Sequence, residues 1–583
     1  MSIENMVANA DVDGLLRAVE TLRNDILNGP PTVDHLNRSA AEIRRFQTSN
    51  AILLLRIHGR RPEPPPCSAD PIQGLLDYLA ALADHYPYEL PSPDMLFAIT
   101  PAVAALVMPA AAFAPVMFPH EGDPERHFKH MDRLLRRAAD FFTSSLGRKP
   151  EAAALLEATV DACNMLPLYF VDKNLAAIAS IRARLTREIL RRRGKQLELT
   201  PPRRVRAAGR RRVGVYRNVF NNAAEVASLR AHLLPYDRER YEIILYALSE
   251  SGDPAETEMK SACDGFVLLP DPSPDAIVAK MRADELDILL MGKNICGLIN
   301  IPWVVAAHRV APLQIATTLF PLTTGLPTFD AYFTAALNED PAAASHYTET
   351  LIKVEGTVNL YNFSGPPLTP QPVGLRERLG MGTERPLFAS GANLHKLTPD
   401  LLAVWARILL QRPDAVLTLY PFNQNWSTSY DYRLASAYLT DQFARRGVTR
   451  DRIALLSTFP SREPILGLLN EADVYLDSFP FSGAVSVVDP LLCDLPIVAL
   501  TGTAARCRQS AGFLRSLGLG GMATANVEEY VAAAVNLAGD PAARQVWAAR
   551  IRAAKPPTFP GGSLLSAKFW QAMDLLADRQ NAL

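Results

Sequence analysis

The sequence predicts an α/β protein in which two tandem doubly wound domains follow an all-α N-terminal region. Three observations carry this. Residues 1–195 show apolar side chains only at helical spacing, between turns that bear Pro or Gly. From Arg212 onward, short apolar runs alternate with helical stretches, the pattern of a parallel sheet covered by helices on both faces. A Pro-, Gly- and Ser-rich break at residues 362–373 (NFSGPPLTPQPV) then divides that alternation in two. The expected domains are residues 1–195, 196–365 and 366–583, and a chain of 583 residues suits two to four domains.

In the N-terminal region, helices are expected over residues 11–27, 34–58, 71–85, 125–145, 150–165 and 173–193. No fixed repeat period holds across them, so a plain helical domain is preferred to a repeat array. The most apolar stretch, residues 99–119, carries Pro101, Pro109, Pro115 and Pro119, which interrupt a membrane span and favour a packed helical hairpin. His127 and His130 lie on a charge-rich helix with no third ligand in view and are expected on a solvated face. Residues 191–212 (RRRGKQLELTPPRRVRAAGRRR) form a basic connector. A solvated linker is the plain reading, and a rim that attracts an anionic donor or an acidic partner is the sharper one.

The first α/β series has strands at 213–216 (VGVY), 241–248, 265–269, 287–291, 314–317, 331–333 and 351–354, a loop and helix at 218–234, a polar loop after 248 and a helix at 274–283. The second has strands at 387–389, 415–420, 453–456, 474–476 and 497–500. Its helices are expected at 398–412, 432–446, 465–471, 485–493, 527–539, 541–555 and 564–577, with Thr398 as N-cap before Pro399. The last helix is placed to pack back across the domain junction.

Composition narrows the function. A net charge of −1 implies neither nucleic acid nor a membrane surface. Six scattered cysteines without a CxxC pair favour reduced thiols, a cytoplasmic setting and no zinc site. The polar, acidic start MSIENMVANADVDG does not read as a signal peptide.

The stretch with most chemistry is residues 472–503, ADVYLDSFPFSGAVSVVDPLLCDLPIVALTGT. Two apolar runs flank a small-residue loop and a helix, a βαβ unit whose helix N-terminus suits a phosphate. Asp489 lies about one turn into that helix, within reach of a sugar hydroxyl. The alternative is a crossover without a ligand. Tandem doubly wound domains bind ligands where the carboxyl ends of both sheets face one cleft, and fold analogy alone points to sugar transfer from a nucleotide donor.

Three segments carry a resemblance. Residues 309–332 (RVAPLQIATTLFPLTTGLPTFDAY), 393–402 (NLHKLTPDLL) and the 472–503 stretch with its continuation resemble, in order, motifs of the O-GlcNAc transferase family and its bacterial relatives. MLPLYFVDKN at 165–174 and Phe479-Pro480-Phe481 lean towards the bacterial branch, which includes an enzyme that glucosylates asparagine in adhesins. The resemblance covers about residues 160–580 and is to glycosyltransferase family 41. It implies a GT-B core and an inverting, metal-independent transfer in which a UDP-sugar is co-substrate and no cofactor is needed. It also implies a polypeptide acceptor read by the N-terminal helices, with no nucleic acid partner and no stable membrane insertion.

The resemblance assigns Lys396 to the donor diphosphate, a role lysine fills where no metal meets the leaving charge. Backbone N–H groups of Ser482, Gly483, Ala484 and Val485 would join it, and Asp489 would hold the ribose. Ala484-Val485-Ser486 replaces the polar side chains of the relatives, leaving backbone contacts. Asn393 is expected on nucleotide or sugar. Phe459 and Arg462 are expected at the base, or at a hinge or surface. Arg508 matches an arginine of the relatives and otherwise reads as a solvated helix residue. Thr323, Thr324 and Gly325 are expected on the sugar side. Asn222 stands in a loop where the family often has histidine; it is expected to substitute as a hydrogen-bond donor and cannot act as a base at neutral pH. Asp284 aligns with an aspartate proposed as base, within the ordinary solvated segment RADELD. His308 and His395 are spare imidazoles, structural or able to assist acceptor deprotonation. Two further readings stay open: transfer to a small molecule or glycan, and a non-catalytic nucleotide-binding scaffold.

Overall fold

Two parallel sheets organise the chain in the computed structural model, which describes residues 2–581 apart from 61–62, 64–65, 199–208, 362, 364–366, 423–430 and 555–561. Ahead of them lie helices α1 (Ile3–Ala8), α2 (Val12–Asn28), α3 (Val33–Thr48), α4 (Ala51–Ile57), α5 (Pro71–Ala81), α6 (Pro101–Ala111), α7 (Asp123–Thr143), α8 (Ala153–Asp161) and α9 (Ala176–Arg192). The single helix expected over 34–58 is two, because Asn50 adopts a left-handed φ of 65° between them. The apolar 99–119 stretch holds one helix, α6, not a hairpin, and no described helix is long and apolar enough to cross a membrane.

The first sheet contains β1 (Arg211–Tyr216), β2 (Tyr241–Ala247), β3 (Gly265–Leu268), β4 (Ile288–Met291), β5 (Leu313–Thr317), β6 (Ala331–Ala335) and β7 (Thr350–Val354), in the order β3-β2-β1-β4-β5-β6-β7. Its helices are α10 (Ala224–Leu233), α11 (Pro254–Ala262), α12 (Pro274–Ala283) and α13 (Ile301–Ala306). Helix α11 replaces the polar loop expected after residue 248: its periodicity is weak, but Asp253 caps it and Pro254 opens it.

The second sheet contains β8 (Leu387–Ser390), β9 (Val416–Leu419), β10 (Ile453–Leu455), β11 (Val474–Leu476), β12 (Ile497–Leu500) and β13 (Ala523–Thr524), ordered β10-β9-β8-β11-β12-β13. Its helices are α14 (Leu375–Arg378), α15 (Pro399–Gln411), α16 (Tyr432–Ala444), α17 (Glu463–Glu471), α18 (Val488–Leu492), α19 (Gln509–Ser516), α20 (Val527–Gly539) and α21 (Pro541–Ala554); α22 (Gly562–Asn581) ends the described chain. Every strand pair is parallel. The strands β4, β5, β6, β8 and β9 are buried along their whole length, which explains their largely apolar sequences.

The helical region is not set apart. One apolar core joins its helices to one face of the first sheet, through Tyr216, Leu289, Met291 and Trp303. Another joins Leu15, Phe46, Leu53 and Met117 to Trp405 and Tyr438 of the second half. Polar contacts pin the same interface: the Tyr438 hydroxyl donates to the Phe118 carbonyl at 2.8 Å, and Gln442 to that of Pro119 at 2.9 Å. Helix α22 returns to the first half, where Phe569, Trp570 and Met573 complete the core beneath α10.

His127 and His130 do not form a solvated face. They are 1% and 9% exposed, and burial pushes the His127 imidazole down to about 3. Of the basic connector, residues 199–208 lie outside the described residues, as do 362 and 364–366 of the expected linker. The described flanks are ion-paired: Arg191 with Glu198, Arg211 with Asp574 and Asp578, and Arg212 with Glu242. None of the six cysteines is in a disulfide.

Candidate functional site

In the second sheet strand order reverses between β8 and β11, and a crevice opens beyond the carboxyl ends of strands at such a point. The segment after β8 carries Asn393 and Lys396; the segment after β11 carries Asp477 to Val485. The Lys396 ammonium donates to the Ser482 carbonyl at 2.8 Å and stands 4.4 Å from the centroid of Phe481. Burial lowers its pKa to about 8, against the opposing pull of Asp477. Lys396 is therefore a cation held at low hydration beside the start of a helix, ready to trade one carbonyl for a stronger anion.

Asp477 is the residue the sequence reading missed. It is 1% exposed, and burial raises its pKa while the Lys396 charge pulls it down. Its two carboxylate oxygens accept the Gly483 N–H at 2.9 and 3.1 Å. A Cβ on Gly483 would lie 2.4 Å from Asp477 Oδ1, so only glycine fits. The signal was present: Asp477 is the first polar residue after the apolar run Val474–Leu476.

The phosphate-facing backbone differs from expectation. The Gly483 N–H is committed to Asp477, and the Ser482 N–H and hydroxyl both donate to the Arg506 carbonyl at 3.1 Å. That leaves Ala484 and Val485, at the head of a 3₁₀ turn (Val485–Val487) that leads into α18, as the N–H groups without helical acceptors. The expected helix over 485–493 is instead a 3₁₀ turn followed directly by the short α18, with Pro490 inside α18.

Asp489 and Arg462 come together. The guanidinium binds the carboxylate through Nη2 and, at 3.2 Å, through Nε, and it lies 4.2 Å from the centroid of Phe363. Burial raises the Asp489 pKa and Arg462 opposes this. Phe459 meets Tyr420 edge-on at 6.4 Å, and the Tyr475 hydroxyl accepts the Gly391 N–H at 3.2 Å. Aromatic rings, one guanidinium and one carboxylate thus gather, like Lys396, in the segments that follow the carboxyl ends of the second sheet's strands.

Other candidates sit elsewhere. Asn393 caps the turn that presents Lys396, accepting the His395 N–H at 3.1 Å. His395 stacks on Phe170 at 6.1 Å and is held down to about 4 by burial, so it is a neutral packing group. His308, just past the end of α13, bonds the Val304 carbonyl of that helix. Arg508 bridges the halves: it donates to Asp340 of the first half at 3.2 Å and to the Gly502 carbonyl at 2.9 Å, so it is no solvated helix residue.

Three expectations meet contrary geometry. Thr324 is 1% exposed, with its N–H and hydroxyl on the Glu349 carboxylate at 2.8 and 2.5 Å. Thr323, 0% exposed, bonds the same carboxylate. Gly325 has φ +69°, and a Cβ there would lie 2.4 Å from the Ala179 backbone of α9. Thr323 and Thr324 are thus tied up inside the first half by Glu349, and Gly325 seats that half on the helical region. Asp284 lies before β4, at the amino ends of the strands, where it accepts from Tyr246 at 2.6 Å and Lys280 at 2.5 Å. That is the end of the sheet opposite a ligand crevice, so Asp284 cannot take an acceptor proton there. Asn222 stands at the carboxyl end of β1 but is exposed, anchored by its N–H to Asp253 at 2.6 Å.

Residues 369–559 match the family model described as glycosyl transferase family 41. Among curated proteins, the chain is 28% identical over 270 residues to the probable UDP-N-acetylglucosamine–peptide N-acetylglucosaminyltransferase SPINDLY of Arabidopsis thaliana, covering 45% of this chain and 28% of that one. The rice (Oryza sativa subsp. japonica) SPINDLY protein is 29% identical over 293 residues, 49% of this chain and 30% of its own. The probable enzyme of the same description named SEC, also from Arabidopsis thaliana, is 26% identical over 361 residues, 61% of this chain and 36% of its own. The matches thus span about a third or less of these relatives. Among solved structures, a mutant Thermobaculum terrenum O-GlcNAc transferase superposes with a TM-score of 0.59 at 19% identity, over 97% of this chain and 98% of that one. That likeness is one of fold: helices ahead of a GT-B pair of domains.

Proposed function

We propose, from residues 369–559 that match the model of glycosyl transferase family 41, that this protein transfers a sugar from a UDP-sugar to a polypeptide side chain. The observation that carries the reading is the Lys396 ammonium at the strand-order reversal of the second sheet, beside the Ala484–Val485 turn and the Arg462–Asp489 pair. The relatives' descriptions, UDP-N-acetylglucosamine as donor and peptide as acceptor, support an N-acetylhexosamine donor here.

In this reading the acceptor oxygen or nitrogen attacks the anomeric carbon from the first-half side, and configuration inverts. The bond from that carbon to the diphosphate breaks, the leaving oxygen takes the electron pair, and the proton lost by the acceptor passes to solvent water. Lys396 and the N–H groups of Ala484 and Val485 meet the charge that develops, so the reaction proceeds without a metal ion. Lys396 gives up the Ser482 carbonyl for the diphosphate. The Arg462–Asp489 pair and Phe459 fix ribose and base. Asn or Ser/Thr as the acceptor residue is decided by the product.

Two observations favour the scaffold reading: Asn222 cannot serve as a base, and Asp284 lies at the far end of its sheet. Sugar turnover of any kind eliminates it. Calorimetric titration of UDP in the presence of EDTA tests the donor site. Binding by the wild type that is lost in Lys396→Ala, with the fold retained, supports the proposal; equal binding by both proteins refutes it.

A further inference from the structure

The helical region reaches into the donor corner. After the 3₁₀ turn Leu166–Phe170, the Asp172 carboxylate accepts the Thr503 N–H at 2.7 Å, the Thr503 hydroxyl at 2.8 Å and the Ala504 N–H at 2.8 Å. In return Arg506, 3% exposed, donates to the carbonyls of Tyr169 at 3.2 Å, Val171 at 2.5 Å and Lys173 at 2.9 Å. A carboxylate from the helical region and a guanidinium from the loop after β12 thus clamp each other's backbone. Gly502 belongs to the clamp, since a Cβ there would stand 2.8 Å from Asp172 Oδ2.

The clamp continues to the cation. The Arg506 carbonyl accepts both the N–H and the hydroxyl of Ser482, and the Ser482 carbonyl accepts the Lys396 ammonium. Beside this line of bonds, Tyr169 and Phe170 pack on Phe481 at 5.9 and 6.1 Å, and Phe481 is the ring beneath the Lys396 ammonium. Burial alone would raise the Asp172 pKa, but the N–H groups of Ala504 and Thr503 outweigh it and hold the carboxyl below its ordinary value. Asp172 therefore remains an acceptor throughout the neutral range.

We propose that Asp172, with Arg506, is a positioning residue for the diphosphate of a nucleoside diphosphate sugar: it fixes the Thr503–Arg506 loop and, through Ser482, the Lys396 ammonium. The proposal rests on the reading of this corner as the diphosphate site. The helical region is then part of the donor site, in addition to any contact it makes with the acceptor.

The test compares UDP with uridine, which lacks the diphosphate, on full-length wild type, Asp172→Asn and Thr503→Val, by calorimetry for UDP and ligand-observed NMR for uridine. Asp172→Asn turns an acceptor of three bonds into a group with one acceptor oxygen. UDP affinity is expected to fall about tenfold or more while uridine affinity changes less than about twofold. Thr503→Val, which removes only the hydroxyl bond, is expected to weaken UDP by a few-fold, roughly, and it carries the test if Asp172→Asn does not fold. Unchanged UDP affinity in the variants, beside a wild type that binds UDP and a Lys396→Ala protein that does not, overturns the inference and leaves the site reading intact. An equal loss for UDP and uridine also overturns it, because Asp172 then only supports the fold. A wild type that does not bind UDP overturns the site reading and the inference together.

Discussion

The pH dependence of UDP binding follows from the position of Lys396. Burial brings its pKa from 10.5 to about 8. Its charged fraction then falls from about nine-tenths at pH 7 to about one-tenth at pH 9. The diphosphate binds the charged form, and a charge-assisted hydrogen bond contributes about 1.5–3 kcal/mol, or about 10- to 150-fold in Kd. Wild-type Kd should therefore be near constant from about pH 7 to 8, then rise towards tenfold per pH unit until the contribution of the charge is spent. For stability the sign is separate. Because the folded pKa lies below the unfolded one, the folded state binds fewer protons between about 8 and 10.5, and the cost of the buried ammonium is relieved as pH rises through that window. Calorimetry from pH 7 to 10 reads the binding effect. Lys396→Arg keeps its charge and should show a flat profile, and Lys396→Ala a flat profile at weak affinity. A wild-type Kd that stays level and parallel to Lys396→Arg would refute the assignment.

Other consequences are open to direct measurement. Gly483→Ala places a methyl group against Asp477 and should cost about 1–3 kcal/mol, read as a lower Tm together with weaker UDP binding; a variant with unchanged Tm contradicts that packing. Arg462→Ala and Asp489→Asn should each weaken UDP about tenfold, and the double variant should be little worse than either, because the two side chains act as one pair; additive losses would show independent roles. His232, 1% exposed and held down to about 4 by burial, stays neutral where the unfolded chain takes up a proton. Stability should therefore fall as pH drops from about 6.5 towards 4, by about 1.4 kcal/mol per unit from this group, and His232→Phe should flatten the slope. Identical acid slopes for the two proteins would exclude the histidine as the cause.

The parallel strands were legible because burial on both faces writes them as unbroken apolar runs, as in Val474–Leu476 and Ile497–Leu500. Helices with a cap and an opening proline, such as α12 and α15, were equally clear. Helix α11 was not, since its short polar sequence gives little periodicity. Lys396 was singled out through its motif, and its neighbour Asp477 was overlooked because a lone aspartate after a strand looks like a turn residue. Thr324 and Asp284 were misplaced for the same physical reason: sequence order does not reveal which end of a sheet, or which packed interface, a polar side chain will occupy. The Asp172–Thr503 clamp joins residues 331 positions apart and has no local signal at all.

The central claim is tested most directly by following a labelled N-acetylhexosamine from its UDP donor, with EDTA present, into a pool of acceptor polypeptides whose modified side chains are then identified by mass spectrometry. The expected result is label on protein in a covalent linkage, release of UDP in equal amount, and loss of both in Lys396→Ala. UDP binding by the wild type without label transfer or UDP release, across hexose and N-acetylhexosamine donors, would contradict it and leave a nucleotide-binding scaffold.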